Sequence, residues 1–139
     1  EAYIPLMANA KEEQFKLYIN DTGLLCAMYG FETKRAVLNN TIKGTAKGGI
    51  YENIIAESLV KNGYKLYYYK PDDDHELEFL IEKDGEVVPI EVKAGNTATV
   101  SLNNFIKRYE PAVAYKLING NVGIVESKKT IPHYMVMFL

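Results

Sequence analysis

The residues Glu76, Glu78, Glu91 and Lys93 fall within one stretch, ELEFLIEKDGEVVPIEVK, and carboxylates such as the first three are of the type that holds a divalent cation. Their spacing is what brings them together. Asp84-Gly85 is a strong two-residue hairpin signal, so the flanking runs are expected to pair as antiparallel strands with Lys83 opposite Glu86. Counting back along that ladder sets Glu78 opposite Glu91 and Glu76 opposite Lys93. Directly opposed side chains lie roughly 4.5–5.5 Å apart at Cβ, where like charges repel. Acids and a lysine so placed are a poor arrangement for stability and a good one for binding a metal ion. A solvated sheet face would explain the same residues without chemistry.

The hairpin rests on alternation. Leu77, Phe79 and Ile81 are expected on one face, with Glu76, Glu78 and Glu82 on the other around Leu80. On the second strand Val88, Ile90 and Val92 face one way, and Glu91 and Lys93 the other. Upstream, a helix is predicted from about Ile50 to Asn62, ended by Gly63. On that helix Glu52 has Ile55, Ala56 and Leu59 as its same-face neighbours, and a carboxylate in an apolar stripe is expensive to bury unless it is paired. The plain alternative is a stripe-edge acid that reaches solvent or sits in the favourable first turn. Glu57, beside Asn53 and Lys61, is expected to need only water. Packed on the hairpin, this helix would bring Glu52 towards the strand acids.

Elsewhere, Phe15–Ile19 alternates like a short strand, and Asn20-Asp21-Thr22 offers N-cap chemistry for a helix over Gly23–Met28 closed near Gly30. Asn39–Gly49 reads as a mobile loop, Tyr64–Tyr69 as a strand, and 95–100 as a connection. Ser101 is expected to cap a helix through Tyr109, with Pro111 marking its end, and Val113–Ile118 and Val122–Val125 to form strands around Asn119-Gly120-Asn121. With 139 residues, 47% apolar and 24% charged, the chain is a single globular domain. Its net charge of −2 gives no global field for nucleic acid, so any such binding would use a local patch. No apolar run is long enough to span a bilayer, and the opening residues carry no signal-peptide pattern. The lone Cys26, in the apolar run LLCAM, reads as a buried structural thiol and fits a cytoplasmic setting. The start at Glu1 suggests a fragment of a longer protein.

The order of elements, a helix with Glu52, a strand, an acid-bearing strand, a Glu-x-Lys strand, then a helix and a strand, resembles the PD-(D/E)xK nuclease core. More narrowly, KLYINDTGLL, GGIYENIIAESL, GYKLYYYK, ELEFLIEKDGEVVPIEVKAG, SLNNFIKRYEP and IPHYMVMFL are similar in order and spacing to the domain of unknown function that follows the AAA+ ATPase module in many bacterial and archaeal proteins. The resemblance implies an α/β, restriction-endonuclease-like fold: a mixed central sheet flanked by helices. It implies a core over residues 48–139 and an N-terminal segment, 1–47, leading to an upstream ATPase module. It matches Glu78 to the metal-binding acid, Glu91 and Lys93 to the (D/E)xK pair, and Glu52 to the acid of the first core helix. In an active member, Glu78, Glu91 and the backbone carbonyl of Val92 would bind Mg²⁺ (or Mn²⁺), and Lys93 would orient the nucleophile, for phosphodiester hydrolysis on nucleic acid. A silent module that binds nucleic acid or a protein is the alternative. The first acid is usually Asp, and Glu76 competes with Glu78 for that position.

Other candidates have simpler readings. His75 beside its acids, and Asp72-Asp73-Asp74, read as a solvated turn, and His133 as structural. Tyr67-Tyr68-Tyr69 could stack on bases or serve packing. Lys107 and Arg108 could touch a nucleic-acid backbone or end a solvated helix. GTAKGG lacks the ending of a phosphate loop, so no ATPase site is expected here.

Overall fold

Asp84 and Gly85 both adopt positive φ, 52° and 81°, as a tight hairpin turn requires. They join β2 (Leu77–Lys83) to β3 (Glu86–Val92), paired with Lys83 against Glu86 as far as Phe79 against Ile90. The structure, a computed structural model, describes residues 1–95 and 98–139. The connection expected over 95–100 therefore lies partly outside the described residues.

The chain is α/β, with a mixed six-stranded sheet flanked by helices. Its other elements are α1 (Thr22–Met28), α2 (Phe31–Leu38), α3 (Gly44–Lys61), β1 (Tyr67–Tyr69), α4 (Val100–Tyr109), β4 (Ala114–Ile118), β5 (Gly123–Val125) and β6 (Lys128–Pro132), ending in a 3₁₀ segment, His133–Phe138. The strand order is β1-β2-β3-β4-β6-β5. The pairs β1–β2, β2–β3 and β5–β6 are antiparallel, and β3–β4 and β4–β6 are parallel. On one face, Ile55, Ala56 and Leu59 of α3 bury Phe79, Ile81, Val88, Ile90 and Val92. On the other, Leu102 and Phe105 of α4, with Ala2 and Leu6, bury Leu77 and Leu80. Among the described residues, no helix is long and apolar enough to cross a membrane.

Leu77 corrects the expected alternation, because it packs with Leu80 rather than with Phe79 and Ile81. The β1–β2 register explains this: Tyr67 opposes Leu80 and Tyr69 opposes Leu77, so β2 carries one extra residue between them. Such a bulge bends the strand and re-aims a side chain. It falls at Glu78 and Phe79.

Three other expectations change. Phe15–Ile19 forms no strand; Asn53 holds this segment instead, accepting from Ile19 N–H (2.8 Å) and donating to Ile19 O (2.9 Å). The loop assigned to Asn39–Gly49 is helical from Gly44. Glycine disfavours a helix by about 1 kcal/mol relative to alanine, and this is outweighed where α3 continues into the packed turn around Ile50 and Asn53. The strand expected from Tyr64 is confined to Tyr67–Tyr69, and helix α2 and strand β6 had no clear pattern. His133, read as structural, opens the terminal 3₁₀ segment.

Glu57 is not merely solvated. Its carboxylate accepts from Thr22 N–H (2.9 Å) and Thr22 Oγ1 (2.8 Å) and pairs with Lys61, tying the start of α1 to α3. The Lys61 and Thr22 hydrogen bonds lower its pKa to about 2. Glu57→Ala should therefore cost about 1–2 kcal/mol in urea unfolding at pH 7, the size of a lost N-cap. Because the folded pKa is depressed, this contribution is present above the ordinary 4.5 and disappears as pH falls through about 2. The gap between wild type and variant should close over that acid range.

Candidate functional site

The C-terminal end of β3 is where the candidate side chains gather. The β3–β4 pairing sets Glu91 beside Lys116 and Val92 beside Leu117, and Lys93 N–H donates to Leu117 O at 2.9 Å. His133 fixes the same point from the other side, its Nε2 donating to the Lys93 carbonyl at 3.0 Å while its ring packs 4.6 Å from that of Tyr51. The Lys93 backbone is thus held by two elements, and its side chain is 21% exposed.

Glu91 is fully buried, and Lys93 Nζ lies 3.2 Å from its Oε1. Among the described residues neither carboxylate oxygen has a well-formed hydrogen bond. Burial raises its pKa, against the pull of Lys93 and, more weakly, Lys116. Glu78 sits at the bulge, and its Oε2 accepts from Val92 N–H at 3.0 Å. Burial is also the first cause that raises Glu78, here to about 7, with Lys93 lowering it and Glu91 adding a smaller upward push. The β2–β3 ladder runs as far as Phe79–Ile90, and the Glu78 side chain takes over beyond it.

Glu52, on α3, is raised by burial and by Glu76 and lowered by Lys16 and Lys93. It therefore shares the field of the strand residues, as the helix packing requires. Glu76 does not sit against Lys93 as the hairpin count would have it. It pairs with Lys16, which also lies 3.8 Å from Glu52. Tyr18 completes this side: its hydroxyl is buried without a hydrogen-bond partner among the described residues, and burial, Glu52, Glu76 and Glu78 all raise its pKa.

The structure thus sets Glu52, Glu78, Glu91 and Lys93 within one another's fields and adds Lys16, Tyr18 and the bracing of Lys93 by His133, none of which the sequence pattern marked. Lys16 and Tyr18 lie in a segment without regular structure, so no periodicity could aim them at α3. Among the described residues, no three of His, Cys, Asp and Glu are placed to hold one metal ion together. Magnesium needs no such set, since it takes one or two carboxylates and fills its remaining positions with water and phosphate oxygens. Two carboxylates, one with both oxygens buried, fit that chemistry. The other metal candidates fall away. Asp72 accepts from the backbone N–H of Asp74 and His75 and from the His75 ring, as a turn does. Cys26 is buried.

A family model described as a domain of unknown function, DUF4143, matches residues 47–135, more than half of the chain. Uncharacterized proteins of Mycobacterium bovis and Mycobacterium tuberculosis are each 32% identical over 100 residues, covering 70% of this chain and 22% of the relative. The chain thus spans about a fifth of the length of these curated relatives. No solved structure matches it.

Proposed function

The chain belongs to the DUF4143 family of domains of unknown function, and we propose that it is a nuclease-like domain with a restriction-endonuclease-like core, built for Mg²⁺-dependent phosphodiester hydrolysis on nucleic acid. One observation carries this reading: the Glu91 carboxylate is fully buried, with Lys93 Nζ 3.2 Å from its Oε1 and with the acid Glu78 in the same field. Two buried carboxylates that share one ammonium are costly for stability and favourable for binding a cation. Glu78, Glu91 and the Val92 carbonyl would hold the ion. When bound it would acidify a water and offset charge on the phosphate. The chain's own groups do the positioning. His133 and Leu117 fix the Lys93 backbone, so the ammonium is presented beside the acids to orient a nucleophile and oppose developing negative charge. The ATPase module on the same polypeptide and a cytoplasmic setting belong to the same proposal.

A second reading, a silent module that binds nucleic acid or a protein, is favoured by one feature. Lys16 already satisfies Glu76 and approaches Glu52, so part of the acidic charge is matched within the chain.

Thermal unfolding in rising Mg²⁺ or Mn²⁺ separates the two. A bound ion stabilises by about 2.7 kcal/mol at a hundredfold excess over its Kd. The expected result is a saturable rise in Tm that Glu78→Gln and Glu91→Gln remove, together with cleavage of some member of a panel of single-stranded, duplex and branched substrates. No rise in Tm and no cleavage would leave the silent reading.

A further inference from the structure

A cleft of about 570 Å³ opens beside the acids, with Glu78 and Tyr18 in its wall. That volume lies within the range of small-ligand sites. Among the other residues that line it, Phe15, Tyr68 and Tyr69 supply rings and Lys11, Lys70 and Arg108 supply positive charge, against one further acid, Glu1. We propose that this cleft binds single-stranded nucleic acid, stacking unpaired bases on its rings and leading the adjoining phosphate towards Glu78. The proposal rests on the nuclease reading for its direction, but not for its binding chemistry.

The rings are set in place before any ligand arrives. Tyr69 meets Phe105 and Tyr109 edge to face at 5.2 and 5.7 Å, and its hydroxyl lies 3.3 Å from that of Tyr109. Cations already lie against neighbouring rings, Lys16 over Tyr68 at 5.2 Å and Arg108 over Tyr109 at 5.3 Å. Phe15 is 72% exposed, a phenyl ring held in water at the cleft. Stacking on side chains needs base faces that pairing has not covered, so a duplex cannot use these rings without opening. The net charge of −2 means that the phosphate must be met locally, and Lys11 and Arg108 in the cleft wall are placed to meet it.

Fluorescence anisotropy tests this in EDTA, where neither a metal ion nor cleavage contributes. The probes are labelled oligodeoxythymidylate, oligouridylate and a mixed-sequence duplex. The single strands should bind at least tenfold more tightly than the duplex, and the two homopolymers will separate DNA from RNA preference. Phe15→Ala and Arg108→Ala change exposed residues, so the fold should survive both. The first should weaken single-strand binding about tenfold, as the loss of a stacked base does. The second should reduce the slope of log K against log salt by about 0.7, the loss of one phosphate contact. Equal affinity for the duplex, indifference to both variants, or equal binding of poly-glutamate would overturn the proposal. Single-strand binding without the Mg²⁺-dependent rise in Tm would leave the cleft assignment standing and remove the nuclease; a rise without binding would do the reverse.

Discussion

Glu91→Gln should make the metal-free protein more stable, by about 1–2 kcal/mol at pH 8, although it removes a charge beside Lys93. Breaking a well-made buried ion pair usually costs about 3–5 kcal/mol, so the sign is informative. The carboxylate is fully buried, and the contact with Lys93, at 3.2 Å, is its closest ion pair among the described residues. Burial outweighs the attraction and hydrogen bonding of Lys93, the attraction of Lys116 and the Leu102 N–H, which is why its pKa is raised rather than lowered. The pH dependence follows. Below the ordinary value of 4.5 both the folded and unfolded chains hold the proton. Above it the unfolded chain releases its proton first, so stability falls as pH rises towards the folded value. Glu91→Gln lacks this loss, and its advantage should shrink as pH falls towards 4.5. Urea unfolding of both proteins in EDTA at pH 5 and pH 8 measures the difference. A loss of several kcal/mol at pH 8 would identify Glu91 as one half of a structural ion pair.

Lys93→Met should reduce cleavage by about 10²–10³-fold, the usual effect of removing one group that opposes transition-state charge. Methionine keeps most of the apolar stem and leaves the backbone bonds to Leu117 and His133 unaltered. The variant should therefore still fold and still show the Mg²⁺-dependent rise in Tm, because the amine is not a ligand. Single-turnover cleavage at saturating substrate separates this effect from binding: the rate should fall while affinity for an uncleaved strand changes little. Full activity in Lys93→Met would remove Lys93 from the catalytic assignment. Lost binding at an unchanged rate would assign the ammonium to phosphate contact instead.

The turn shows how much local chemistry could decide. Only residues tolerant of positive φ suit its two central positions, so Asp84-Gly85 set the hairpin and the Lys83–Glu86 register before any tertiary contact was known. The Glu-x-Lys spacing then placed Glu91 and Lys93 on one face, as alternation demands. Asp21 accepting from Leu24 N–H, and Gly63 just beyond α3, are equally local events and were equally legible. Where glycine propensity competed with packing, in Gly44–Gly49, the local signal pointed to a loop and packing prevailed.

The sequence alone therefore determined the hairpin, its register, the α/β order and the identity of the acids and lysine, because each depends on neighbours a few residues apart. Tertiary structure decided what those groups face. The extra residue in β2 came from pairing with β1 and turned Leu77 away and Glu78 towards Val92. Lys16 reached Glu76, and His133 reached Lys93, across separations no periodicity spans. Burial of Glu91 required α4 to close over the opposite face of the sheet from α3. Desolvation depends on everything packed around a group, so the raised pKa of these acids is a property of the fold rather than of any segment.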